Sequence, residues 1–173
     1  MNVASVETEL LASTRTSTGE TLAELSQRSP VMLVLLRHEG CTFCRNAMSD
    51  IARLRTQIEN VGTRIVLGHM GSDDDFTAFA GRYGLSSIPT VADPDRMLYK
   101  GLGLRHGSFM QLMGPKVLWA WIRATFAGHR PGKVKGDIFQ LPGAFLIHQA
   151  KVVRAYRYRD ASDRPDYIGL ATT

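Results

Sequence analysis

Apolar positions along the chain fall into two rhythms. Residues 31–36, VMLVLL, form an unbroken apolar run, as a central strand covered on both faces requires. Over 44–59, Ala47, Met48, Ile51, Leu54 and Ile58 recur at steps of three and four, which is one buried face of a helix. Arg45, Asp50, Arg53 and Glu59 fall on its other faces. Residues 63–68, TRIVLG, read as a second buried strand. Ser72 then suits a helix cap, with Asp73, Asp74 and Asp75 complementing the dipole of the first turn and Phe76, Phe79, Ala80 and Tyr83 on the apolar face. Upstream, Leu22 and Leu25 suggest a short helix that ends before Pro30.

Later segments continue both patterns. Over 115–126, Val117, Leu118, Trp121, Ile122 and Phe126 line one side of a helix and are expected in the core. Residues 144–147 and 152–156 read as two strands of a hairpin turning at 148–151, and a last short helix follows Pro165. The order is strand, helix, strand, helix, a variable middle with a helix, a hairpin and a final helix. A βαβ unit gives parallel strands and the hairpin adds antiparallel ones. This is an α/β class chain with a thioredoxin-like fold: a central mixed sheet flanked by helices on both faces. Residues 18–173 form the domain, and residues 1–17, rich in Ser and Thr, are expected to be a flexible extension.

Composition narrows the picture. Of 173 residues, 44% are hydrophobic and 21% charged, which suits one soluble domain with a sizeable core. A membrane span needs about 20 apolar residues, far beyond the 31–36 run, and no membrane partner is expected. The N-terminal residues carry two glutamates and no basic cluster, unlike a secretory leader, so a cytoplasmic location is expected. The net charge of +5 arises from scattered basic residues. Arg154, Arg157, Arg159 and Arg164 gather near the end but form no nucleic-acid recognition motif, so a solvated face is expected and no nucleic-acid partner.

Only two cysteines are present, Cys41 and Cys44, three apart. A disulfide-stapled fold would need more of them at wider spacings. Cys41 sits just after a buried strand and at the start of a helix, where amide groups and the dipole stabilise a thiolate. Cys44 lies one turn inward, placed to attack a mixed disulfide on Cys41. Arg37, His38 and Arg45 add positive charge nearby and Glu39 opposes them; His38 also suits proton shuttling. Three other readings compete: half of a zinc site, a pair of inert core thiols and a vestigial site. Zinc takes four ligands, and His38, His69, His106, His129 and His148 stand at no zinc-finger spacing. No metal and no cofactor are expected.

The run LRHEGCTFCR at 36–45 resembles the active-site segment of the AhpC/TSA-type peroxiredoxin-like family with a CxxC motif, in the selenoprotein-L-like and prostamide-synthase-like branch of the thioredoxin superfamily. The stretch through GSDDD at 71–75, YGL at 83–85, IPT at 88–90 and DPD at 93–95, and the segment GDIFQLPGAFLI at 136–147, are similar to later parts of the same family. The resemblance covers residues 18–170 and implies Cys41 and Cys44 as the redox pair. It also places Pro142 where thioredoxin-fold proteins keep a cis-proline opposite the redox site, presenting the Leu141 backbone to an incoming chain. Typical peroxiredoxins carry Pro-x-x-x-Thr/Ser-x-x-Cys; here Val34 stands at the proline position, His38 at the Thr/Ser position, and Pro142 replaces the expected arginine.

These departures shift the expectation from fast peroxide reduction to disulfide exchange. The expected function is a thiol–disulfide oxidoreductase with an antioxidant role, using a reversible Cys41–Cys44 dithiol/disulfide. The alternatives are a thiol peroxidase with Cys41 peroxidatic and Cys44 resolving, and a non-enzymatic binding module that uses Trp119 and Trp121 as an interface. Arg37, His38, Arg45 and Pro142 form the expected shell of the site. The expected partner is a thiol or disulfide protein or a small redox molecule, with a hydroperoxide under the peroxidase reading, acting on a monomer or homodimer.

Overall fold

The structure is a computed structural model that describes residues 3–38, 40–108, 111–112, 114–126 and 137–172, with backbone only at 3–5, 116, 121 and 124. Its helices are α1 (Val3–Ser13), α2 (Leu22–Arg28), α3 (Thr42–Asn60), α4 (Asp73–Gly81), α5 (Met97–Gly101), α6 (Pro115–Phe126) and α7 (Tyr167–Ala171). The strands are β1 (Val31–Leu35), β2 (Arg64–His69), β3 (Thr90–Ala92), β4 (Gly143–His148) and β5 (Lys151–Arg157). They form one sheet in the order β3-β2-β1-β4-β5. β1, β2 and β3 run parallel; β4 is antiparallel to β1, and β5 to β4.

The apolar run of β1 is explained by its central place. Met32 and Val34, with Leu36 just beyond, pack under α3, α4 and α7 on one face. Val31, Leu33 and Leu35 pack with α1, α2 and α5 on the other. Alternate residues of a strand point to opposite faces, so a strand with two covers must be apolar throughout. Gly68 lies beside Leu35 in the β1–β2 register. A Cβ there would come within 2.3 Å of Leu35 Cδ2, so a larger residue would have to displace the buried Leu35 side chain.

Local chemistry sets the element ends. Thr21 and Glu24 form a reciprocal capping box at α2, and Ser72 and Asp166 cap α4 and α7 with their side chains. The hairpin turns on Gln149 and Ala150, both at positive φ (51° and 58°), as a two-residue primed turn requires. Ser26 of α2 holds that turn: its carbonyl accepts the Gln149 N–H at 3.0 Å and its hydroxyl accepts the Ala150 N–H at 2.9 Å.

Several expectations need correction. Residues 3–13, expected within a flexible extension, form α1, because Leu11 is fully buried beside Leu22, Leu98 and Tyr99. The short strand β3 and the helix α5 have no counterpart in the pattern reading. The α6 helix was expected to bury one side, yet Leu118 and Phe126 are exposed, as is Trp119; of the four named residues whose side chains are described, Val117 alone is buried. The reason is the width of its seat, a small cluster of Leu112, Val117, Leu141 and Ala161. The Trp121 side chain and Glu39 lie outside the described residues. No helix among the described residues is long and apolar enough to cross a membrane.

Candidate redox site

The site lies where β1 ends. Leu36 closes the strand with its N–H donated to Gly68 O, and a tight turn follows, closed by the Cys41 N–H on His38 O at 3.0 Å. Cys41 is the N-cap residue of α3, with extended backbone (φ −76°, ψ 120°), and its carbonyl accepts the first intrahelical bond from the Arg45 N–H. Cys44 falls at the third helical position, on the face turned toward β1. Both cysteines are free and buried, with 6% and 2% of their surface exposed.

The two thiols are displaced in opposite directions. The Cys41 pKa is lowered to about 6, first by the hydrogen bond from the Cys44 side chain and then by the charge of Arg37. The N–H groups of Cys44 and Phe43 add to this without forming a full capping hydrogen bond, and burial opposes it. Burial pushes the Cys44 thiol up, and the neighbouring Cys41 sulfur adds to that. At neutral pH the pair is therefore a thiolate at the helix entrance beside a thiol one turn inside it. Among the described residues, no group of three His, Cys, Asp or Glu side chains could hold a metal here.

A narrow pocket opens onto the two sulfurs. Arg37, Phe43, Ala47, Pro142, Tyr158 and Ala161 line it together with both cysteines. Arg37 is itself buried. Its Nη2 donates to Ile138 O at 2.6 Å, while its Nε has no hydrogen-bond partner among the described residues. Tyr158 reaches the pocket from beyond β5, and its hydroxyl pairs with that of Tyr167 at 3.1 Å.

The expected shell is only partly assembled. Arg37 and Pro142 line the pocket. The Leu141–Pro142 peptide is trans, against the cis bond implied by the family resemblance, so the backbone presentation that a cis bond would give is absent. His38 points elsewhere, into a separate cavity shared with Leu36, His69, Met70, Phe76 and Phe79. Burial, with the Arg37 charge adding, pushes its pKa to about 4, so at neutral pH it supplies no positive charge. Arg45 does not line the pocket; its charge acts on Tyr83. The pattern reading missed Tyr158 and Tyr99, whose hydroxyl donates to Leu36 O. Their sequence signal is weak: each is an aromatic among apolar residues.

A mixed sheet with helices on both faces and a dithiol at the β1–α3 junction define a thioredoxin-superfamily, peroxiredoxin-like redox protein. The model of the family described as AhpC/TSA antioxidant enzyme matches residues 50–162, more than half of the chain, starting just after the two cysteines. The chain belongs to that family, and thiol-based redox chemistry of an antioxidant kind is its function. Peroxiredoxin-like 2A of Xenopus tropicalis is 23% identical over 95% of this chain and 71% of its own length. Prostamide/prostaglandin F synthase of Danio rerio is 23% identical over 95% and 84%. Among solved structures, peroxiredoxin Q of Xanthomonas campestris aligns with a TM-score of 0.57 at 18% identity, covering 91% of this chain and 83% of that one. Peroxiredoxin 6 of Arenicola marina aligns with a TM-score of 0.63 at 12% identity, covering 91% and 66%. At these identities the structures speak for the fold alone.

Proposed function

We propose that the chain is a thiol–disulfide oxidoreductase with an antioxidant role, and that its working unit is the Cys41–Cys44 dithiol. The observation that carries this reading is the placement of two free thiols at the N-terminus of α3, Cys41 at its cap and Cys44 held by the Arg37 N–H at 3.4 Å, with the Cys41 thiol lowered and the Cys44 thiol raised. Cys41 is the attacking thiolate and Cys44 stays protonated until it is needed. The Cys41 thiolate displaces one thiolate from a disulfide and forms a mixed disulfide. Cys44 then loses its proton, attacks the Cys41 sulfur and releases the second thiolate. The two protein thiols end as one disulfide, and a dithiol reductant resets the site.

A second reading, thiol peroxidase, is favoured by burial. Cys41 and Cys44 are both buried and reached only through a narrow pocket, which suits a small electrophile better than an extended chain. Arg37 also brings a guanidinium to that pocket, where the later strand carries Pro142 instead of arginine. In this cycle the Cys41 thiolate attacks a hydroperoxide oxygen and becomes a sulfenic acid, and the alkoxide leaves as an alcohol. Cys44 then attacks the sulfenic sulfur, giving the disulfide and water.

Paired turnover assays decide between them. Insulin reduction by the wild type, lost in Cys44→Ser, supports exchange. Catalytic hydroperoxide consumption with a dithiol donor, without insulin reduction, supports the peroxidase. A Cys41→Ser protein active in both assays would remove the shared premise.

A further inference from the structure

Both thiols are tied to one buried peptide group. Tyr99 of α5 is entirely buried and donates its hydroxyl to Leu36 O. The N–H of the same peptide unit belongs to Arg37 and donates to Cys44 Sγ at 3.4 Å. The neighbouring Cys44 thiol is the first cause of the lowered Cys41 pKa. Two hydrogen bonds thus run in one direction through a single peptide unit, Tyr99 O–H to the Leu36 carbonyl and Arg37 N–H to Cys44 Sγ, and end beside Cys41.

We propose that Tyr99 is a positioning residue for the redox pair, fixing the 36–37 peptide so that its N–H holds Cys44 with the thiol proton aimed at Cys41. Hydrogen bonds in series polarise one another, and a low local dielectric strengthens each of them. A sulfur that accepts a hydrogen bond is a better donor through its own proton. Tyr99 is itself held firmly. The Asp93 carboxylate, also buried, accepts the N–H groups of Met97 and Leu98 at 2.8 Å each and of Tyr99 at 3.4 Å. Burial keeps the Tyr99 hydroxyl protonated, with the charges of Cys44 and Asp93 adding to the effect, so it remains a donor at any working pH. The titratable groups facing the pair are Arg37 from the β1–α3 turn, Tyr83 beyond α4, Tyr99 from α5, Tyr158 beyond β5 and Tyr167 of α7. Burial holds all four tyrosines neutral, which leaves Arg37 as the cation among these groups.

The inference rests on Cys41 being the attacking thiolate, and one experiment separates the two claims. Alkylation of Cys41 by iodoacetamide is followed from pH 4 to 10, with the modified residue read by mass spectrometry. In Tyr99→Phe the rate at pH 5 should fall about threefold while the alkaline plateau is unchanged, because less Cys41 is ionised. With 3-fluorotyrosine at position 99, a stronger donor of nearly the same size, the rate at pH 5 should instead rise about twofold. This second variant decides the matter if Tyr99→Phe does not fold. A wild-type midpoint near 6 with unchanged profiles in the folded variants overturns the Tyr99 role alone. A wild-type midpoint near 8.5, the ordinary thiol value, overturns both claims.

Discussion

The hydroxyls of Tyr158 and Tyr167 meet at 3.1 Å between the pocket wall and the C-terminal helix, both in buried positions. Tyr167 packs in the main core beside α3, and Tyr158 faces the two sulfurs, so this contact ties α7 to the redox site. Removing either hydroxyl leaves the other buried without that partner. Tyr158→Phe or Tyr167→Phe should each cost about 1–2 kcal/mol in urea unfolding. The double variant should cost less than the sum, since both unpaired groups are then gone. Strict additivity would show that the two hydroxyls do not depend on each other.

Arg37 is the cation nearest the pair, and its charge lowers both thiols. In Arg37→Met, Cys41 alkylation at pH 6 should slow about two- to fivefold relative to its own plateau. Arg37→Lys should recover part of the loss, since it keeps the charge without the planar fork that reaches Ile138 O. Equal pH profiles for all three proteins would count against an electrostatic role.

His38 supplies a pH dependence of known sign. Its pKa is about 4 in the folded chain and near 6.5 when unfolded, so the unfolded state takes up the proton first as the pH falls. Stability is unaffected well above pH 6.5 and declines as the pH drops from about 6.5 toward 4. Chemical unfolding of His38→Gln across that window should show a shallower decline than the wild type.

Ala150 occupies the left-handed region at φ 58°, where a side chain costs about 1–2 kcal/mol. Ala150→Gly removes that strain and gives back part of the gain as unfolded-state entropy. The net gain expected is about 0.5–1 kcal/mol, visible as a rise of a few degrees in Tm. The Ser26 hydroxyl would still accept the backbone N–H at 150, so a fall in Tm would contradict the strain.

Much of this architecture was readable from residue order. The VMLVLL run foretold a doubly covered strand because alternation vanishes when both faces are buried. Ser72 with its aspartates, the hairpin at 148–151 and the helix after Pro165 were legible because capping and turn chemistry act within a few residues. The strand β3, only three residues long, carries too little periodicity to be seen, and it exists through pairing with β2. The α1 segment looked like part of a loose tail because Ser and Thr are frequent over residues 1–17, yet buried Leu11 anchors it.

At the redox site the division is equally clear. Residue order alone determined that two thiols stand one turn apart where a buried strand meets a helix, and that spacing with helix-end electrostatics makes one of them acidic. Packing alone decided which neighbours matter. It turned His38 into a neutral wall of another cavity, kept Arg45 away from the pocket and left Pro142 in the trans form. It also brought Tyr99 from 63 positions away to the Leu36 carbonyl. Burial and long-range contact are properties of the folded chain, and they set the charge state and orientation of the groups around Cys41.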